Sequence, residues 1–406
     1  MLKRYLARLP LTDRITFWYD NLGGMCYGVF NGLALPLIPI VARRIGMSAT
    51  GIAAMISMQF VGALFGLFFG HLADRYRKMP FVVWPGAISR ALLGLLFFAG
   101  DPASFFLISS LFFLIANLGV PAYASIMRSN YSDANRGKLM GDIRVIMMAI
   151  SAACSTLAAL ALKADMSVLR WLFPAAAVFG VASAFIFGKV KVRRLPAAPK
   201  NPERRSFLKS LRIVGGDVTF LLFMAIFFLC TTPDKFAIPL EPLRLVDELH
   251  MTYEQASFLL GTVVSGLGII GYFFWGRMIK RSNPFLLLAV IVLLTASRYA
   301  VLALARNVYD LIPMSVILGL INAGWDLVPL FCILPLVTDH MHFSLYFGVH
   351  WTLLGIRGIA GPLFGAFIYD TGAFSLPTLF MAIAGLTALG GLLLFPFARW
   401  KRKEST

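Results

Sequence analysis

The chain of 406 residues is 59% hydrophobic and only 14% charged, with a mean hydropathy of +0.79. Soluble globular domains run at about 45–50% apolar and about 25% charged, so a soluble enzyme, a secreted disulfide scaffold and a disordered chain are all excluded. At about 20 apolar residues per crossing, the length accommodates roughly twelve spans joined by short loops, the pattern of a polytopic helical membrane protein.

The net charge of +18 comes from 37 Lys and Arg against 19 Asp and Glu. The basic residues cluster between hydrophobic runs, as cytoplasmic loops do under the positive-inside rule, and this placement argues against a nucleic-acid partner. Cys26, Cys154, Cys230 and Cys332 all fall in apolar runs without metal-site spacing, so they read as buried thiols. Met1–Arg14 is basic but lacks a small-residue cleavage site, and the apolar stretch after it continues to Ile40. That stretch is too long for a signal sequence and reads as a retained first span.

In chain order the predicted spans are 15–42, 51–70, 81–99, 104–127, 141–163, 169–189, 211–238, 256–276, 285–305, 310–336, 345–369 and 375–397. With the N-terminus inside, most Lys and Arg fall in cytoplasmic segments. Arg43, Arg44, Lys163, Arg170, Lys235, Arg244 and Arg306 lie on the other side, and Arg90, Arg144, Arg298 and Arg357 within spans. The bias places both termini in the cytoplasm. Lys189–Arg212 is the longest polar connection, rich in Lys and Arg and broken by Pro196, Pro199 and Pro202. It divides the chain into a six-helix bundle over 1–189, a basic cytoplasmic linker over 190–210 and a second six-helix bundle over 211–406.

The two halves share residues at an offset of about 204. Ala34–Pro39 corresponds to Ala237–Pro242, Met47-Ser48 to Met251-Thr252, Pro80-Phe81 to Pro284-Phe285, and Asn117–Gly119 to Asn322–Gly324. Ordered matches of this kind indicate a duplicated unit, and parallel repeats place a binding site between halves near the bilayer midplane.

After the second span runs Gly70-His71-Leu72-Ala73-Asp74-Arg75-Tyr76-Arg77-Lys78. It resembles the signature that the major facilitator superfamily carries between spans two and three. Gly70, Leu72, Ala73, Asp74 and Arg75 match, whereas Arg77 replaces the usual glycine and Met79 a frequent lysine. Gly276–Arg281 is a weaker copy, with Lys280 replacing the acid. The resemblance implies twelve transmembrane helices in two pseudo-symmetric bundles, alternating-access transport, and a cavity lined by spans one, four, seven and ten. It further implies a gating role for Gly70, Asp74 and Arg75, latching the cytoplasmic ends of the halves in the outward-open state. The glycine-proline pattern of antiporters is missing from span five, while Gly355, Gly358, Gly361, Pro362 and Gly365 form a related face on span eleven. Close helix packing explains that face equally well.

Ionisable residues inside a bilayer cost several kcal/mol on insertion scales, roughly 2.5–3.5 for Arg, Lys or Asp, and so need a partner, water or a function. On the cavity spans, Asp20, Tyr27 and Asn31 share one helical face, as do Asn117 and Arg128. Span seven carries Thr231, Asp234 and Lys235, and span ten carries Asn322, Trp325 and Asp326. Tyr27, Asn31, Asn117, Asn322 and Trp325 are candidate substrate contacts, with interhelical hydrogen bonding an equal account of the asparagines. Asp326, Asp234 and His350 are candidates for proton coupling, although adjacent Asp234 and Lys235 read equally as a structural or gating ion pair. Arg90 and Arg298 are expected to be packing residues with acid partners. Asp142 and Arg144, at the start of predicted span five, read as gate or loop anchors. Arg357 lies near the middle of span eleven on one face with His350, and a guanidinium grips carboxylate or phosphate bidentately. It is the leading candidate for an anionic substrate group, the competing account being a pair with Asp326.

The expected function is secondary active transport of a small organic solute, anionic or zwitterionic, coupled to protons. The expected partners are that solute, protons and the lipid bilayer, for a monomer in the bacterial inner membrane. The alternatives are a lipid or lipid-linked flippase, prompted by 36 phenylalanines, and a non-transporting assembly factor. No P-loop, H-E-x-x-H or G-x-S-x-G motif occurs, so neither an ATPase nor a familiar hydrolase is expected. No cofactor is expected, and Asp339, His340 and His342 read as a solvated loop rather than a metal site.

Overall fold

The computed structural model describes residues 10–75, 77–192, 215–279, 281–336 and 343–404, the side chains of 66–75, 133–134, 334, 343–345, 347–348 and 397–404 excepted. Among them every regular element is helical. Eleven helical runs are long and apolar enough to cross a membrane. Ala49–Arg75 is the twelfth, its apolar part Ala49–Phe65. In order, spans one to six are Leu11–Arg44, Ala49–Arg75, Pro80–Phe98, Pro102–Asn130, Asn135–Ala164 and Met166–Phe187. Spans seven to twelve are Val218–Glu248, Tyr253–Met278, Pro284–Leu304, Val308–Ile333, Val349–Asp370 and Leu376–Pro396. Large apolar side chains such as Phe98 and Phe367 point outward, 78% and 65% exposed, where only lipid makes that favourable.

Proline and glycine set the interruptions. Span one stops at Ala34, turns through Leu35–Leu37 and restarts at Ile38, because Pro36 and Pro39 remove backbone donors there. Span four breaks at Asn117–Gly119 ahead of Pro121, and span seven breaks at Thr232 ahead of Pro233. The repeat does not force identical geometry. Asn117–Gly119 is a break, whereas Asn322–Gly324 stays inside the continuous helix Ile312–Ile333.

By contacts the chain divides into two units. The first comprises Met1–Leu195 with Met251–Ile269, the second Pro196–His250 with Ile270–Thr406. The early part of span eight thus groups with the first unit, where hydroxyls tie it to span five. Ser257 Oγ donates to the Ser155 carbonyl at 2.9 Å, and Thr156 and Thr262 share a hydrogen bond at 3.1 Å. Arg44 donates to the Met251 carbonyl and stacks 4.6 Å from the Tyr253 ring. Gly28 lets span one reach span five, since a Cβ there would lie 2.6 Å from the Met147 carbonyl.

In the second unit an aromatic core forms around Phe220, Phe223, Phe227, Trp275 and Phe285. The glycine face of span eleven packs on span seven. A Cβ on Gly361 would meet Lys235, and one on Gly365 would meet the Phe236 backbone. Backbone cannot swing away as a side-chain tip can, so Gly365→Ala is expected to destabilise by about 1–3 kcal/mol. Gly385→Ala, with open space around it, should leave the unfolding midpoint unchanged in the same detergent.

Asp101 and Asp165 cap helix starts in the loops. Ser104 and Ser167 donate to their carboxylates at 2.6 and 2.7 Å, and these bonds hold both carboxyls below the usual carboxylate range. A depressed carboxyl stabilises the fold above its unfolded pKa, and that contribution is lost as pH falls through the folded value.

Candidate functional site

Within the first unit, spans one to six surround a cavity of about 420 Å³. Span one supplies Asp20, Gly23, Gly24 and Tyr27 to its wall, one helical face whose glycines leave the space open. Asp20 is buried and accepts from the hydroxyls of Tyr131 at 3.2 Å and Tyr123 at 3.3 Å. Arg144, from span five, lines the same cavity, and its charge acts on Asp20. The helix that carries span five begins at Asp133, about two turns before the predicted start at 141. Arg144 is therefore a cavity residue deep in the helix and not a loop anchor, which corrects the reading of it from sequence.

Arg90 corrects another expectation. Its Nη1 donates to the Gly180 carbonyl at 3.0 Å and to Ser183 Oγ at 3.2 Å, and its guanidinium lies 4.9 Å from the Tyr27 ring centroid. Among the described residues it pairs with no acid, and it lines the cavity instead of packing outside it. Asn117 is also on the wall, at the break in span four, with its amide bonded back to the Phe113 carbonyl at 3.2 Å. Asn31 is not on that wall. It donates to Ser151 Oγ at 2.8 Å, and Ser151 meets Ser265 at 3.1 Å, so it stitches helices together.

The second unit holds the remaining candidates. Asp234 accepts from Lys235 Nζ and from the Tyr299 hydroxyl, each at 2.6 Å, so the adjacent pair is an ion pair with a phenol closing it. Arg298 is buried and pairs with Glu241, the acid partner expected of it. Trp325 donates to Thr295 Oγ1 at 3.3 Å and sits edge-on to Phe227. Asp326 is exposed and accepts from the Tyr272 hydroxyl at 2.5 Å, with Asn322 exposed one turn before it.

Arg357 is 5% exposed. Its guanidinium lies over the Phe227 ring at 5.0 Å, and among the described residues it makes one marginal hydrogen bond, of 3.5 Å to the Phe227 carbonyl, with no partner for Nε. It does not pair with Asp326, which takes Tyr272 instead. Met224, Phe227, Phe228, His350, Leu353 and Leu354 line a gap beside it that is too small for a water molecule. His350 is buried against Phe227, the ring centroids 5.3 Å apart. Gly70, Asp74 and Arg75 lie on a helix that runs to Arg75, but their side chains fall outside the described residues, as do Asp339, His340 and His342.

Sequence reasoning missed Arg144, Gln59 and Tyr123 as cavity residues. Arg144 carried a signal, as one of the few in-span charges. Gln59 and Tyr123 carried none, since an isolated polar residue on an apolar helix does not announce which way it faces. Chemically, the cavity offers a guanidinium bonded to neutral acceptors, a second arginine and one carboxylate, a set able to hold an acidic group.

The chain matches the family model of the Major Facilitator Superfamily over residues 21–233. A search of curated proteins finds no match. Among solved structures it is similar to an auto-inhibited POT family peptide transporter, with a TM-score of 0.69 and 16% identity over 95% of this chain and 96% of that one. The nucleoside transporter NupG superposes with a TM-score of 0.66 at 13% identity, covering 94% and 98% of the two chains. A bacterial homolog of the human lysosomal transporter Spinster, inward-facing and unoccupied, gives 0.67 at 13% identity, covering 96% and 98%. Such identities speak to the fold alone. With over half its length matched by the family model, this multi-pass membrane protein belongs to the major facilitator superfamily.

Proposed function

We propose that the protein is a secondary transporter carrying a small anionic or zwitterionic organic solute by alternating access, coupled to protons. The observation that carries the reading is Arg90 on the wall of the 420 Å³ cavity, its described hydrogen bonds all to neutral acceptors. A guanidinium in that state has its strongest partner still to gain, because charge-assisted bonds to carboxylate are about twice as strong as neutral ones. Tyr27 supports its face, and Asn117 adds an amide to the same wall. Arg357 lacks space for a ligand beside it, so Arg90 is the better candidate for the substrate's acidic group.

Coupling follows from shared charge. An incoming carboxylate competes with Asp20 for Arg144, which lines the same cavity. Protonating Asp20 removes its competing charge, so proton and anion bind each other's form of the protein more tightly, and this linkage is reciprocal. Proton–anion symport is the outcome. Asp326, exposed beside Tyr272, is the second proton candidate, whereas Asp234 is held by Lys235 and His350 is walled in by aromatics.

The test is counterflow in proteoliposomes across a panel sorted by charge. Arg90→Gln is expected to raise the half-saturating concentration of an anionic solute at least tenfold, with Arg357→Gln changing it much less. An anion transported equally well by Arg90→Gln would refute the assignment.

A further inference from the structure

At one end of the first unit, span one and the segment after span six form an open groove of about 510 Å³, separate from the cavity above. Its walls are Arg14, Ile15, Trp18 and Tyr19 on span one, with Lys189 and Lys191 opposite. We propose that this groove is a binding site for an anionic phospholipid, the three cations holding the phosphate headgroup and the aromatics the glycerol and upper acyl region.

Three observations support the assignment. The first is uncompensated charge. No described residue makes an ion pair or hydrogen bond with the side chains of Arg14, Lys189 or Lys191. The nearest acid in sequence, Asp13, is turned inward, 2% exposed, and consumed by Ser132 and Asn135, whose donors reach it at 2.7 and 3.1 Å. Three exposed cations with no counterion among the described residues attract phosphate, and a basic pocket between membrane helices is a recognised setting for acidic headgroups.

The second is amphipathic lining. Trp18 is 60% exposed and Ile15 38%. A tryptophan that open beside lysines belongs at the headgroup level, where its ring meets both hydrocarbon and water. A free small anion uses the cations but gains nothing from Trp18 and Ile15. A lipid uses both.

The third is rigidity. Asn130, 1% exposed on span four, donates to Thr16 Oγ1 on span one and to the Lys191 carbonyl, each at 3.0 Å. One buried amide therefore pins both walls, so the groove exists before its ligand arrives and little ordering cost is left to binding. The positive-inside bias puts this end at the cytoplasmic leaflet, whose anionic lipids supply the headgroups.

The experiment compares thermal unfolding of the full chain in detergent micelles doped with phosphatidylglycerol, cardiolipin or phosphatidylcholine, with inorganic phosphate as a fourth arm. A ligand of the folded state raises the midpoint by mass action. The expected result is stabilisation by phosphatidylglycerol and cardiolipin only, weakened by salt, with apparent affinity at least tenfold lower in the triple variant Arg14→Gln, Lys189→Gln, Lys191→Gln. Trp18→Ala, which keeps every charge and so the topology, is expected to lose several-fold. Equal stabilisation by phosphatidylcholine, or an undiminished shift in both variants, would overturn the site. A full-sized shift from inorganic phosphate alone would replace the lipid with a free anion and overturn the proposal likewise. Should the triple variant fail to insert, Lys191→Gln and Trp18→Ala decide the matter by themselves.

Discussion

Removing the Glu241 carboxylate while leaving Arg298 in place is expected to cost about 3–5 kcal/mol of folding stability. Glu241 lies on span seven and Arg298 on span nine, and the arginine is 5% exposed, its guanidinium 4.9 Å from the Tyr299 ring. An arginine cannot shed its proton to escape such a site, so Glu241→Leu strands a buried charge. Arg298→Met with Glu241→Leu removes both charges and leaves two apolar side chains of fitting size. The double variant is expected to recover most of the loss, because replacing a whole buried pair by hydrophobes is often neutral or stabilising. Unfolding titrations of the four proteins in one detergent supply the cycle. Should the double variant be as unstable as the sum of the singles, the pair is not the reason either charge matters.

Asp20→Asn is expected to separate transport from its driving force. The amide keeps the shape of the carboxylate and can still engage Tyr123 and Tyr131, which now donate to Asp20 at 3.3 and 3.2 Å. It cannot take up and release a proton. Anion binding should lose its dependence on pH, holding at all pH values the tighter level that the wild type reaches only in acid. Counterflow, which needs no gradient, should persist, while accumulation driven by an inward proton gradient should fall to the exchange level. Wild-type binding of the anion is expected to strengthen as pH drops, since the proton removes the competing charge beside Arg144. Retained accumulation in Asp20→Asn, with its pH dependence intact, would assign the proton elsewhere, with Asp326 next to be tested.

The twelve spans were legible because apolar runs of membrane length dominate the composition, and Gly70–Arg75 named the family through a motif tied to a fixed place in the fold. Gly361 and Gly365 were readable as a packing face from their spacing, and they do receive span seven. Arg298 was readable as needing an acid, but Glu241 was hidden between Pro239 and Pro242, residues that mark turns more often than buried helix. Arg90 shows what periodicity omits. Its span was placed correctly, yet whether it faced an acid or a cavity depends on the rotation of the helix against its neighbours, which no single helix encodes. Arg144 was misplaced for a simpler reason, the two-turn error in where span five begins. The lack of space around Arg357 was illegible altogether, because it arises from six side chains contributed by two spans far apart in sequence.

Arg357 has a thermodynamic consequence beyond the question of what it binds. A guanidinium buried beside Phe227, Phe228 and leucines, with one 3.5 Å bond and an idle Nε among the described residues, has given up its hydration for little in return. Any arrangement of the second unit that lets water reach it recovers part of that hydration. The residue is thus a standing weight against the enclosed arrangement, and the occupancy of that arrangement is set by how much free energy the surrounding aromatic packing supplies on the other pan.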